Sequence, residues 1–382
     1  MININYFKYL LKKDYKIILI LFLGIFFLFP LQVIIDEPIY NEIWYSYNES
    51  EYIVIGEILS FSSLCLTSST IIILILGIFT PLVMRHMYIT RKQCDTYYAL
   101  PIKKETLYQT TYLFGFVVDI SVWTLCFLIA LCGYSIKGFS LNYGYLFLYM
   151  VCMWGFLFVL YTISSFFSLL ATNRSDASLL TIFGPLCLLM LTFEICSVIN
   201  ILFSFKVANI INSYTEYFIN PFASGFKFTS CLAQKAILIP QDIKDFISTI
   251  PEADTNFYRI TDVSKIPLYV LIDFILHLVI CVILQFINRY IFKEIKAERI
   301  EYISPRQVGL KVCLSIFIIF LFSQCDFTFP FPSIFIIANA LLFYFIGQFY
   351  IKRKIKFDKQ MFILLIPLII CGLIISLGAS IL

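Results

Sequence analysis

Long apolar runs, nearly free of charge, alternate with short polar connections along all 382 residues. Nine runs stand out, at about 17–35, 59–84, 107–135, 143–171, 177–204, 266–290, 308–324, 331–350 and 361–380. About 18 or more consecutive apolar residues suffice for a helix to cross a bilayer. The pattern therefore predicts an all-α polytopic membrane protein with about nine transmembrane helices. The first run is too long for a cleaved signal peptide and reads as a retained span. Ahead of it, Ile2, Ile4, Phe7 and Leu11 interleave with Lys8, Lys12 and Lys13 at helical spacing, which predicts an amphipathic interfacial helix over 1–16.

Charge in the connections sets the orientation. The first connection holds Asp36, Glu37, Glu42, Glu49, Glu51 and Glu57 and no basic residue. Basic clusters occupy the N-terminus, 85–105, the turn at Arg174, 289–311 and 352–359. Every second connection is basic, so the positive-inside rule predicts a cytoplasmic N-terminus and an external C-terminus. Twenty-one of the 28 Lys and Arg residues then face the cytoplasm. The one long connection, 205–265, balances six basic against six acidic residues and is expected outside, packed on the helix ends.

Composition agrees: 60% of residues are hydrophobic and 14% charged, against roughly 45–50% and about 25% in a soluble domain. The net charge of +4 is spread over separate membrane-flanking clusters. It forms no continuous patch for nucleic acid. Most of the twelve cysteines lie inside apolar runs and read as small buried hydrophobes. Cys231 and Cys325 fall in segments expected outside, where a disulfide between them is an open option.

No GxxxxGK[ST], HExxH, GxSxG or paired CxxC occurs, and the chain has two histidines, His86 and His277. No catalytic, metal or cofactor site is expected in this chain. Four ionisable residues lie within spans: Asp119, Glu194, Asp273 and His277. Such groups are costly in a membrane and face a bundle interior or an aqueous cavity. Asp273 and His277, four residues apart, share a helix face. Glu194 is expected at a similar depth. Two readings stay open for Glu194, Asp273 and His277: a substrate path or proton relay, and interhelical hydrogen bonding to Ser, Thr or Asn; Asp119, near mid-span, has no obvious partner in sequence and its role is open.

The connection 85–105 has the most distinctive pattern. It carries Arg85, Arg91, Lys92, Lys103 and Lys104 against Asp95 and Glu105, with Tyr97, Tyr98, Leu100 and Ile102 as an apolar side. Pro101 ends one helical stretch and permits another from Lys103. The order basic–Asp95–aromatic–Leu100-Pro101-Ile102–basic–Leu107 resembles the loop between the second and third spans of ABC-2-type transporter permeases of Gram-positive bacteria. The run Phe292-Lys-Glu-Ile-Lys-Ala-Glu298-Arg-Ile-Glu is similar to that family's segment after span six, although Ile300 and Glu301 stand where the family has small residues. The basic cluster Lys352–Lys359 is similar too.

The resemblance implies a six-helix ABC-2 core over 17–304, with a coupling loop at 85–106, followed by three additional spans over 305–382. It implies an exporter of an amphiphilic substrate in the bacterial cell membrane, with no cofactor in this chain. ATP and Mg would be held by a separate ABC ATPase subunit, and a second permease, the same or different, would complete the complex. Arg91, Asp95, Tyr97, Leu100, Pro101, Ile102 and Lys104 would contact the ATPase. Lys296, Glu298 and Arg299 would form a second partner contact. Two alternatives remain open: a proton-coupled secondary transporter using Glu194, Asp273 and His277, and a non-transporting membrane sensor or assembly factor.

Overall fold

The computed structural model describes residues 2–35, 44–47, 51–54, 58–89, 97, 99–137, 140–171, 173–202, 225, 229, 232, 237–238, 268–295, 308–324, 330–352 and 359–381. Its helices are α1 (Ile4–Leu28), α2 (Pro30–Ile35), α3 (Ile58–Ile89), α4 (Lys104–Ile136), α5 (Tyr143–Leu169), α6 (Arg174–Leu202), α7 (Leu268–Glu294), α8 (Val308–Ser323), α9 (Pro330–Lys352) and α10 (Lys359–Ile381). Four short strands accompany them: β1 (Trp44–Tyr47), β2 (Glu51–Val54), β3 (Ser140–Leu141) and β4 (Ile237–Leu238). Each of the nine apolar runs falls on helix. Among the described residues, six helical segments are long and apolar enough to cross a membrane, and shorter apolar helices occupy Lys311–Ser323, Ile336–Ile351 and Phe362–Ile374.

Local chemistry explains the helix ends. Asn3 caps α1, its Oδ1 accepting the Tyr6 N–H at 3.0 Å. The segment expected at the interface is the opening of α1, which runs unbroken to Leu28. Pro30 has no N–H to continue that ladder and opens α2 instead. Pro330 opens α9 in the same way. Asn173 caps α6: its Oδ1 accepts the Asp176 N–H at 2.8 Å while its Nδ2 donates to Asp176 Oδ2 at 2.7 Å.

Large apolar side chains point outward. Ile20 on α1, Phe286 on α7 and Ile363 on α10 are each at least 65% exposed. In water such surfaces would drive association, whereas lipid tails solvate them. The fold is thus that of a helical, multi-pass, membrane-embedded protein.

The chain divides into two compact units. The first comprises Met1–Thr80, Ile102–Tyr161 and Ser224–Val282. Here α1 lies on α4: Tyr6 and Leu10 are buried, the Asn3 N–H donates to Thr110 Oγ1 at 3.0 Å, and Phe7 meets Phe114 edge-on at 5.3 Å. Helix α2 reaches α4 at Gly133, where a Cβ would sit 3.2 Å from Val33 Cγ1. Trp123 is buried on α4, stacked on Phe127 at 5.0 Å, and its Nε1–H donates to Ser69 Oγ on α3 at 3.1 Å. Gly77 lets α3 approach α5, since a Cβ there would lie 2.6 Å from Leu160 Cβ. Strands β1 and β2 pair antiparallel, Trp44 opposite Val54. Strands β3 and β4 also pair antiparallel, Ser140 opposite Leu238, so two connections that charge counting assigns to one side are hydrogen-bonded together.

The second unit comprises Pro81–Pro101, Thr162–Ala223 and Ile283–Leu382. Helix α8 packs on α6, α9 and α10. One cluster gathers Ile318 and Phe322 of α8, Ala340 and Tyr344 of α9 and Leu365 of α10. Another gathers Ile89, Ala171, Ala177, Leu180, Cys187 and Cys313. Because lipid is as apolar as these side chains, close packing and interhelical hydrogen bonds hold such a bundle together more than apolar burial does.

Candidate functional site

Among the residues between α3 and α4, Tyr97 and 99–103 are described; Arg91 and Asp95 lie outside the described residues. The Leu100 N–H donates to the Tyr97 carbonyl at 3.3 Å, closing a turn. Tyr97 is buried, Leu100 and Ile102 are half-buried, and Ala99, Pro101 and Lys103 are exposed. Lys104 then opens α4, with Glu105 in its first turn, where a carboxylate suits the helix dipole.

An aromatic stack anchors this turn. The Tyr97 ring lies 5.5 Å from that of Tyr88, near the end of α3. Tyr88 in turn meets Phe292, near the end of α7, edge-on at 5.4 Å. The Arg85 guanidinium sits 5.5 Å from the Phe292 ring centroid. Each aromatic pair is worth about 0.5–1.5 kcal/mol beyond its buried area, and a cation–π contact about 0.5–2 kcal/mol. The turn after Tyr97 is therefore tied to the ends of two helices while its tip stays open. Sequence patterning singles out Tyr97 but not Tyr88 or its pairing with Phe292. The available signal is that aromatic residues close both helices where they run into basic connections. Lys296, Glu298 and Arg299 lie outside the described residues.

The intramembrane polar residues have separate surroundings. Asp119 is fully buried on α4, about 22 Å from the helix start at 1.5 Å per residue. Its Oδ1 accepts the Thr80 hydroxyl of α3 at 2.9 Å. Oδ2 has no hydrogen-bond partner among the described residues. Tyr161 of α5 is within electrostatic range of the same carboxyl and packs edge-on against Tyr112 at 4.9 Å. Asp119 thus sits among hydroxyl-bearing side chains of three helices.

Glu194 on α6 accepts the Ser323 hydroxyl, at the end of α8, at 2.6 Å. On α7 the His277 ring Nδ1 lies 2.7 Å from the Asp273 carbonyl oxygen. A carbonyl only accepts, so Nδ1 carries the proton. The helix face shared by Asp273 and His277 is thus used through the backbone. Glu194 belongs to the second unit and the Asp273–His277 pair to the first.

Among the described residues, no group of three or more His, Cys, Asp or Glu is arranged to hold a metal. Cys126, Cys152, Cys187, Cys281 and Cys313 are buried with free thiols. The Cys187 thiol donates to the Cys313 carbonyl at 3.4 Å, helping to fasten α6 to α8. Cys231 and Cys325 lie outside the described residues. Comparison with protein families, with curated proteins and with solved structures gives no match, so the assignment of function rests on this geometry and on the sequence.

Proposed function

We propose that this chain is the membrane-spanning subunit of an ATP-binding-cassette exporter of the ABC-2 type, moving an amphiphilic substrate out of the cell. The observation that carries this reading is the turn at Tyr97–Lys103. It is gripped at its base by Tyr88, which Phe292 backs, and is exposed at Ala99, Pro101 and Lys103. A coupling element needs that combination: a tip accessible to a motor and a base stiff enough to pass displacement into helices. Leu100, Pro101 and Ile102 make its apolar edge and Lys104 its charged end. Arg91 and Asp95 would complete the contact, with Lys296, Glu298 and Arg299 beside it.

On this reading nine helices cross the bilayer, six as the ABC-2 core and α8–α10 as an extension. The N-terminus is cytoplasmic and the C-terminus external. A separate ATPase subunit binds the nucleotide, and a second permease completes the pathway. A proton-coupled transporter using Glu194, Asp273 and His277 has less support, because Glu194 accepts the Ser323 hydroxyl of α8 and the His277 Nδ1–H donates to the Asp273 backbone carbonyl rather than to its carboxylate. A non-transporting sensor would leave the exposed tip without a motor to engage.

The test is purification of the full chain from its native membrane. An ABC ATPase should co-purify, and Leu100→Asp with Pro101→Ala should lose it while the protein stays monodisperse. Substrate efflux from vesicles that persists without ATP and collapses with the proton gradient would overturn the proposal.

A further inference from the structure

The Asp119 carboxyl plays no part in the function proposed above, yet α3, α4 and α5 converge on it. The Thr80 hydroxyl of α3 donates to Oδ1 at 2.9 Å, and Tyr161 of α5 is within electrostatic reach. The helices come this close because Gly77, one turn before Thr80, faces Leu160, the neighbour of Tyr161, with no room for a Cβ. Asp119 is fully buried, and its Oδ2 has no hydrogen-bond partner among the described residues. It also forms no ion pair among them. On α1, which lies along α4, the buried Asp14 interacts with Lys13. On α3, Arg85 stands over the Phe292 ring. On α7, whose Phe274 packs against Gly155 of α5, the His277 Nδ1–H is taken by the Asp273 carbonyl. The carboxyl is thus offered a hydroxyl but no cation. A buried carboxyl in that position takes up a proton rather than keep its charge.

A file of phenols leads to this carboxyl from the Lys104 end of α4. Tyr108 and Tyr112 stand one turn apart, with ring centroids 6.0 Å apart. Tyr112 meets Tyr161 edge-on at 4.9 Å. Tyr161 is within electrostatic reach of Tyr108, Tyr112 and Asp119 alike. At 1.5 Å per residue, Tyr108, Tyr112 and Asp119 lie about 6, 12 and 22 Å from the start of α4. A phenol hydroxyl both donates and accepts, so it can pass on one proton while taking another. The file ends at Asp119. One turn further on, Trp123 is stacked on Phe127 at 5.0 Å and gives its indole N–H to Ser69. An indole only donates, so it hands no proton onward.

We propose that Asp119 is a proton-binding site, its Oδ2 carrying an exchangeable proton that reaches it along Tyr108, Tyr112 and Tyr161. Intramembrane carboxyls lined up with other proton-handling groups serve in this way. The site is a dead end, loaded and emptied from the Lys104 end of α4 and closed beyond by Trp123. It uses residues of the first unit alone and needs no ATPase, so it stands apart from the function proposed above.

The test is infrared difference spectroscopy of the full chain in phosphatidylcholine vesicles at neutral pH, the unaltered protein against Asp119→Asn. The unaltered chain should show the carbonyl stretch of a protonated carboxyl, and Asp119→Asn should remove it. Transfer to heavy water should shift that band downward, and Tyr161→Phe should keep the band but slow the shift severalfold. Labelling with dicyclohexylcarbodiimide needs no variant. The acid O–H adds across one C=N bond and the adduct rearranges to an N-acylurea with nothing leaving, so peptide mass mapping should find one reagent on Asp119. An unchanged spectrum in Asp119→Asn, a band that ignores heavy water, an unchanged shift rate in Tyr161→Phe, or no label on Asp119 would each overturn the proposal. Protection from the label by sodium chloride but not by choline chloride would assign the site to a metal cation and overturn it as well.

Discussion

Thr80 and Asp119 meet in the middle of the helical bundle, the threonine hydroxyl donating to the carboxyl Oδ1 at 2.9 Å. The bond joins α3 to α4 next to Pro81, whose ring nitrogen cannot donate to the carbonyl of Gly77. One helix is thus locally weakened where a side chain from its neighbour reaches it. A double-mutant cycle with Thr80→Val and Asp119→Asn should give a coupling energy of about 0.6 kcal/mol, up to about 1.7. Reversible unfolding in mixed detergent measures it. A coupling near zero would mean that the pair is not linked in the folded chain.

Gly77 should tolerate no side chain. The nearest atom to an added Cβ is Leu160 Cβ at 2.6 Å, a stem atom that cannot swing aside, so the helices would have to separate. Gly77→Ala should destabilise by about 1–3 kcal/mol. Gly24→Ala, where nothing lies within 4 Å, is the control and should leave the melting temperature in detergent unchanged.

Phe292 supports the turn after Tyr97 from far along the chain. Phe292→Ala removes both the edge contact with Tyr88 and the seat of the Arg85 guanidinium. The loss should be about 1–3 kcal/mol from those two contacts. Limited proteolysis should then cut between α3 and α4 faster than in the unaltered chain. An unchanged cleavage rate would show that the stack does not hold the turn.

Sidedness can be read with reporter fusions. Alkaline phosphatase fused after Lys137, beside β3, should be active, and fused after Lys103 it should be inactive. A fluorescent protein that matures only in the cytoplasm should give the reverse pattern. Activity after Lys103 would place the turn after Tyr97 outside and remove any role with a cytoplasmic ATPase.

The helices are legible in the sequence because each carries its own signal: an apolar run, a proline at the first position as at Pro330, and charge at the ends. Partnerships are not. Asp119 has no partner within its own run, and Thr80 lies on another helix, 39 residues earlier. Glu194 and Ser323 are 129 apart, and their meeting depends on how α6 and α8 are rotated, which apolar periodicity leaves undefined when helices are hydrophobic all round. The aromatic base of the turn after Tyr97 is half visible, since Tyr97 stands out in its segment while Tyr88 and Phe292 look like ordinary interfacial rings.

Two of the last three helices, α8 and α9, are fastened to α6 by hydroxyl groups as well as by packing. Ser323 serves Glu194 and Tyr350 serves Asp176. A chain cut after residue 304 would keep both carboxyls in the bundle but lose the Ser323 and Tyr350 hydroxyls that donate to them, and would strip Cys313 from the thiol of Cys187. Amputation should therefore yield a protein that misassembles, so what looks in the sequence like an appended tail is bolted to the frame.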